Sequence, residues 1–341
     1  MKKENKSNII EVVNLRKVFN IPKKEKDLSF WKKRLSWVYR EWEEKVAVEN
    51  INLQIKTGEI LGYLGPNGAG KSTTIKMLTG ILHPTSGDIK VFGNLNPIKN
   101  RNEYTQQIGV VFGQRSILSY DIAVKDSFRL FKAIYGLSEE FYQKRVEYLV
   151  KTLGIEPFFE TPYRMLSLGE KMRCELAASF LHAPKIVFLD EPTIGLDASA
   201  KIAIRKFLKK INEEEGVTIM ITTHDMDDIE ELCNRIILID HGTVAYEGTL
   251  DNFKKKYSDW KTVNVYYKSI INKTKFEQLK KMLEIEEEVE KNLTIKIPAS
   301  QSLGSYLKSI VDCLDIIDLT ITEPKLENIV ANIYDKRREK E

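Results

Sequence analysis

Residues 65–73, GPNGAGKST, set glycines, a lysine and two hydroxyl side chains in the order G-x-x-x-x-G-K-[ST] of a phosphate-binding loop. The motif follows the apolar run EILGYLG, which reads as a strand, and opens STTIKMLTGIL, which reads as a helix. Both contexts that give it chemical meaning are therefore present. A glycine-rich turn can aim successive backbone N–H groups inward, and the positive end of the helix behind it favours a polyphosphate. Gly65, Pro66, Asn67, Gly68, Ala69, Gly70, Lys71, Ser72 and Thr73 are thus candidate nucleotide contacts, with Lys71 reaching the β- and γ-phosphates and Ser72 giving its hydroxyl to Mg2+. A second apolar run, residues 186–189, ends in Asp190 and Glu191. Loops at the carboxyl ends of such strands are where doubly wound sheets bind ligands. Two adjacent carboxylates beside a triphosphate repel unless a cation lies among them, which makes Asp190 the expected metal carboxylate and Glu191 the expected general base or water-orienting residue.

Strands and helices must hold these loops in place. Residues 9 to about 247 alternate short β-branched runs such as KIVFLD, VTIMITT and RIILID with amphipathic stretches, the pattern of an α/β architecture on a largely parallel sheet. Beyond Gly248, TVNVYY, NLTIKI and DIIDLTI read as strands, with helices around 276–283 and 303–314 and a last helix from near Lys325. The expected division is an α/β domain at 1–247 and a small C-terminal α+β domain at 248–341. A length of 341 residues, 42% of them hydrophobic, supplies two cores and excludes disorder or a collagen-like repeat. With 53 Lys plus Arg against 49 Asp plus Glu, the net charge of +4 does not call for nucleic-acid binding, and none is expected. The start MKKENKSNII lacks a signal peptide's apolar stretch, and no apolar run approaches the ~18 residues of a membrane span. Cys174, Cys233 and Cys313 stand apart without paired spacing, as in a reducing cytosol.

Residues 20–45 interrupt the pattern with a basic, tryptophan-rich segment. Trp31, Leu35, Val38 and Trp42 recur at helical spacing, so an amphipathic helix is expected here. Its stripe can contact an anionic membrane surface through residues 23–44, grip a partner's loops, or pack on the chain's own core.

In their order along residues 9–247, these motifs resemble the ATP-binding subunits of ABC transporters. The resemblance implies a P-loop NTPase fold of the ABC type, with a helical subdomain at about 115–180, and ATP and Mg2+ as ligands. It further implies that Gln114 is the Q-loop residue touching metal or attacking water, that Ser167 and Gly169 of LSLGE cap the γ-phosphate bound on a second copy, and that Asp197 of TIGLD crosses the dimer interface. His224 then stands as the switch histidine, an N–H donor to the γ-phosphate. Phe19 is the closest match for adenine stacking, with Tyr39 or a tryptophan of the insertion as alternatives and Val46 or Val48 beside the ribose. Leu168 and Glu170 depart from the commonest signature, and Glu170 is expected to face away or to pair with Lys171. Within the family, the insertion, LSLGE, TIGLD and the C-terminal appendage look most like ATPases of type-2 (NatA-like) exporters. That implies a homodimer or paired ATPase subunit working on a separate integral membrane permease from the cytoplasmic face. A soluble ABC ATPase acting on ribosomes or DNA is the alternative.

Overall fold

A long antiparallel pair opens the fold, β1 (Asn8–Pro22) against β2 (Trp42–Lys56), in register from Asn8↔Lys56 to Pro22↔Trp42. The computed structural model describes residues 7–22, 42–113, 115–257, 260–282, 284–298, 302–322 and 324–338. Trp31, Leu35, Val38 and Tyr39 of the basic insertion lie outside the described residues, as does Gln114. The insertion's flanks correct the sequence reading: residues 20–22 and 42–45 are strand, and Trp42, expected on a helical stripe, pairs with Pro22. Cross-strand pairing extends β1 and β2 beyond what local periodicity signals, because strand formation depends on the partner as much as on the segment.

The chain then runs β3 (Ile60–Leu64), α1 (Lys71–Leu78), β4 (Ser86–Val91), α2 (Arg101–Thr105) and β5 (Ile108–Phe112). Three helices follow, α3 (Val124–Tyr135), α4 (Glu139–Leu153) and α5 (Leu168–Phe180). Next come β6 (Ile186–Asp190), α6 (Ala198–Glu215), β7 (Thr218–Thr222), α7 (Met226–Leu232), β8 (Arg235–Asp240) and β9 (Thr243–Thr249). The strands form one sheet in the order β4-β1-β2-β9-β8-β3-β7-β6-β5. The largely parallel sheet read from the sequence is found for β8, β3, β7, β6 and β5, whereas β4, β1 and β2 pair antiparallel. All of β3 and β7 and most of β6 are buried, as strands covered on both faces must be, and this explains their unbroken apolar runs. Leu61, Tyr63, Ile75, Met77, Phe188, Met220 and Ile237 share one core with Leu15, Val48 and Ile51 of the antiparallel pair. The phosphate-loop helix is thereby fixed to both parts of the sheet.

Contacts divide the chain into two units, Met1–Gly248 and Thr249–Glu341. In the second, α8 (Leu250–Tyr257) precedes β10 (Trp260–Ile270), α9 (Lys273–Met282), β11 (Glu284–Val289), β12 (Asn292–Pro298), α10 (Leu303–Val311), β13 (Leu314–Thr322) and α11 (Leu326–Arg338). The order β11-β12-β10-β13, antiparallel throughout, is the split βαβ arrangement. Val263, Val265, Leu293 and Ile295 alternate inward and pack with Phe276 and Ile310. Strand β11 was not among the sequence expectations, since its acidic run EIEEEV carries little apolar alternation.

Where α5 ends, His182 is held between the helices and the sheet. Its Nε2 donates to the Ile108 carbonyl at 2.9 Å, and its ring stacks on Tyr135 at 3.9 Å with planes 2° apart. Burial pushes its pKa down from 6.5 to about 4, with Arg145 adding to that and the Ile108 carbonyl opposing it. The unfolded chain takes up this proton below about pH 6.5 and the folded chain only near 4, so stability is lost as the pH falls through that window. Unfolding free energies from denaturant titrations at pH 7 and 4.5 should differ by about 2 kcal/mol more in the wild type than in His182→Gln, which keeps a donor but does not titrate. Equal differences would contradict the buried neutral state of His182.

Candidate nucleotide site

The loop of residues 65–70 is clamped from behind by backbone. A Cβ on Gly65 would come within 2.7 Å of the Ile239 carbonyl, and one on Gly70, at φ 105°, within 2.5 Å of the Ala47 carbonyl. Only glycine fits these two approaches. Lys71, 6% exposed, donates from Nζ to the carbonyls of Gly65 at 2.6 Å and Pro66 at 3.2 Å. Burial lowers its pKa, and the carboxylates of Glu191 and then Asp190 work against that lowering. An anion on the loop would act in the same sense as those carboxylates, favouring the ammonium form.

Two clefts share Asn67, Gly68, Ser72 and Glu191. One is lined by the loop with Lys71, Thr73, Phe19, Lys45 and Ala47; the other by Lys76, Gly113, Arg115, Asp190, Ile194 and His224. Phe19 of β1 therefore stands beside the phosphate loop, with Lys17 Nζ 5.1 Å from its ring centroid. The expected ribose neighbours need correction. Lys45 and Ala47 line the cleft, while Val48 is fully buried and Val46 lies on the alternate face of β2.

Strand β7 holds the Asp190 carboxylate and the Glu191 backbone. Thr222 Oγ1 donates to Asp190 Oδ1 at 2.6 Å, and the Glu191 N–H donates to the Thr222 carbonyl at 2.9 Å. Glu191 adopts φ 57°, a left-handed conformation unusual outside glycine and a form of strain that clusters at functional sites. Its Oε1 meets His224 Nε2 at 2.7 Å. Strand ends β6 and β7 thus deliver Asp190, Glu191 and His224 to the mouth of the loop that β3 and α1 hold.

Sequence reasoning missed Thr222 and Arg115. Thr222 is anonymous inside an apolar strand, and Arg115 became visible only when a tight turn, bridging Phe112 to Arg115, placed it in the cleft. Among the described residues no group of three or more His, Cys, Asp or Glu gathers as a metal cage. A hydroxyl at Ser72 and one carboxylate at Asp190 instead match Mg2+, which binds through few carboxylates together with substrate phosphates.

Residues 48–194 match the sequence profile of the ABC transporter family. The chain is 34% identical over 206 residues to the ABC transporter ATP-binding protein NatA of Bacillus subtilis, covering 60% of this chain and 83% of that one. It belongs to the ATP-binding subunits of ABC transporters. The Nod factor export ATP-binding protein I of Burkholderia orbicola is 36% identical over 211 residues, 62% of this chain and 68% of that one. A solved ATP-binding cassette, a dimer in a post-hydrolysis state with ADP and phosphate, superposes with a TM-score of 0.59 at 27% identity, covering 71% of this chain and 98% of the cassette. The chain is accordingly an ATPase subunit, and its α/β fold is that of the cassettes.

The remaining expected residues of this ABC ATPase subunit sit elsewhere on the chain. Ser167 N-caps α5, and Glu170 turns back onto it, its Oε2 accepting from the Ser167 N–H and hydroxyl at 2.8 Å each. These bonds, the backbone one first, hold the Glu170 carboxyl below its usual range. Pairing of Glu170 with Lys171 is not found; Lys171 Nζ lies 5.6 Å from the Tyr163 ring centroid instead. The signal was present in the sequence, because S-x-x-E before an apolar run is a capping box. Gly169 packs against the start of α6, where an added Cβ would meet that of Ala200 at 3.1 Å. Asp197 caps that helix, accepting from the Ala200 N–H at 2.9 Å. Ser167, Gly169 and Asp197 line neither cleft.

Proposed function

We propose that the subunit works in pairs, two copies enclosing two ATP molecules, each held by the phosphate loop of one copy and capped by Ser167 and Gly169 of the other. One observation carries this reading. Lys71, Asp190, Glu191 and His224 converge on connected clefts, while the signature residues of the same chain line neither. In the bound state Lys71 contacts the terminal phosphates, Glu191 orients and deprotonates the attacking water, and His224 donates to the γ-phosphate while Glu191 holds its ring. Ser72 and Asp190 are the groups that would hold Mg2+, with Gln114 as a third candidate. The ion supplies charge neutralisation at the phosphate oxygens. Cleavage removes the contacts that favour the closed pair, and the halves separate.

A separate membrane permease of the type-2 export class receives this motion at the cytoplasmic face. The name of the Nod factor export relative supports export, and the stretch 116–135 offers exposed Tyr120, Ile122, Leu130 and Ile134 as a docking surface. Among the described residues no helix is long and apolar enough to cross a membrane.

Complementation tests the pairing. Leu168→Asp changes a half-exposed residue in the first helical turn, where an acid is tolerated, and sets a charge against the partner's phosphate. Leu168→Asp and Lys71→Ala should each be inactive alone, and their mixture should regain part of the ATPase activity, because a mixed pair contains one intact site. A mixture as inactive as its components would overturn the arrangement. Co-purification with a polytopic membrane protein is the expected outcome for the permease, and ribosomes or DNA in its place would redirect the reading.

A further inference from the structure

Asp228 on α7 is fully buried and has no part in the catalytic scheme above. Burying a carboxylate is costly unless donors surround it. Here the donors come from three different segments. Thr193, two residues beyond Glu191, and Thr223, next to His224, both donate their hydroxyls to Asp228 Oδ2, the latter at 2.9 Å. Arg205 of α6 donates from Nε to Oδ1 at 2.6 Å and reaches Glu231 at 2.9 Å and Asp225 at 3.3 Å. Lys201, also on α6, donates to Asp225 Oδ2 at 2.6 Å, while the Asp225 N–H donates to Thr223 Oγ1 at 3.0 Å.

The loops that carry Glu191 and His224 are thus bonded to one oxygen atom, and that carboxylate is bonded to α6, the helix that Asp197 caps. We infer that Asp228 is a positioning residue for ATP hydrolysis: it sets the separation of Glu191 and His224 and ties both to α6. A hydroxyl on a β-branched side chain has little rotamer freedom, so two threonines on a single acceptor leave the two loops little room to drift apart. The same connection gives a path by which a change at His224 reaches the start of α6, where Gly169 packs. The inference rests on the roles given above to Glu191 and His224.

The decisive variant is Thr193→Val, which keeps the shape and removes one donor, with Thr193→Ser as the conservative control and Asp228→Asn as a second probe. Each is assayed as the full chain with Mg2+ and ATP, by kcat, KM and thermal midpoint, beside Glu191→Gln. Thr193→Val and Asp228→Asn should lower kcat about 10- to 100-fold, as small misplacements of catalytic groups do. KM for ATP should stay within about twofold, since the phosphate loop is untouched. Thr193→Ser should restore kcat. Should Asp228→Asn fail to fold, Thr193→Val still decides. Wild-type kcat in Thr193→Val, or a loss that Thr193→Ser does not restore, overturns the inference. Wild-type turnover in Glu191→Gln would instead overturn the catalytic assignment beneath it.

Discussion

Glu191→Gln is expected to lower kcat for ATP hydrolysis by about 10²- to 10⁴-fold, the usual contribution of a positioned general base. ATP affinity should be unchanged or slightly higher. The amide is nearly isosteric, and its oxygen can still accept from His224 Nε2, which lies 2.7 Å from Glu191 Oε1. The hydrogen bond from the Glu191 N–H to the Thr222 carbonyl at 2.9 Å belongs to the backbone and survives the change, so φ 57° remains supported. What disappears is a negative charge beside the polyphosphate site together with the only strong base on that side chain. The first loss favours ATP binding and the second stops turnover, so ATP-bound pairs should accumulate. Single-turnover kinetics and light scattering with ATP and Mg2+ check both halves. Hydrolysis at the wild-type rate would remove Glu191 from its role.

The parts of the site that could be read from sequence are those where backbone geometry or a fixed charge leaves one residue type. Gly65 and Gly70 face carbonyls that exclude a Cβ, Lys71 must be a long cation, and Asp190 and Glu191 close a buried apolar strand. Their signals are local. The less legible parts depend on chain segments meeting in space. Thr193 and Asp228 are 35 residues apart, Arg205 and Asp228 are 23 apart, and nothing in the threonine or the arginine announces a buried carboxylate. The strand ends at 20–22 and 42–45 owe their form to each other, so a helical spacing that ends at Trp42 misled. Of the two expectations for Glu170, facing away or pairing with a cation such as Lys171, the Lys171 pairing is not found. The three-residue spacing from Ser167 gives it a hydrogen-bond partner closer at hand, the N-cap of its own helix.

Lys71→Ala is expected to weaken ATP binding by about 10- to 100-fold, which corresponds to the ~1.5–3 kcal/mol of a hydrogen bond to a charged group. The ammonium is pre-positioned, because two of its three donors already rest on the Gly65 and Pro66 carbonyls. Burial disfavours its charge, and Glu191 and Asp190 restore part of it, so the binding of a polyanion completes a balance that the protein alone leaves incomplete. Truncation removes this charge and also leaves space where a 6% exposed stem was packed. Lys71→Met separates the two effects: it keeps most of the stem and should recover stability without recovering affinity. Lys71→Arg should recover neither in full, since a planar fork does not fit between two carbonyls that hold a compact ammonium. Titration calorimetry with ATP at fixed Mg2+ gives the comparison. Equal affinity in the wild type and Lys71→Met would mean that the Lys71 ammonium does not hold the phosphates, because the methionine variant leaves every other part of the loop in place.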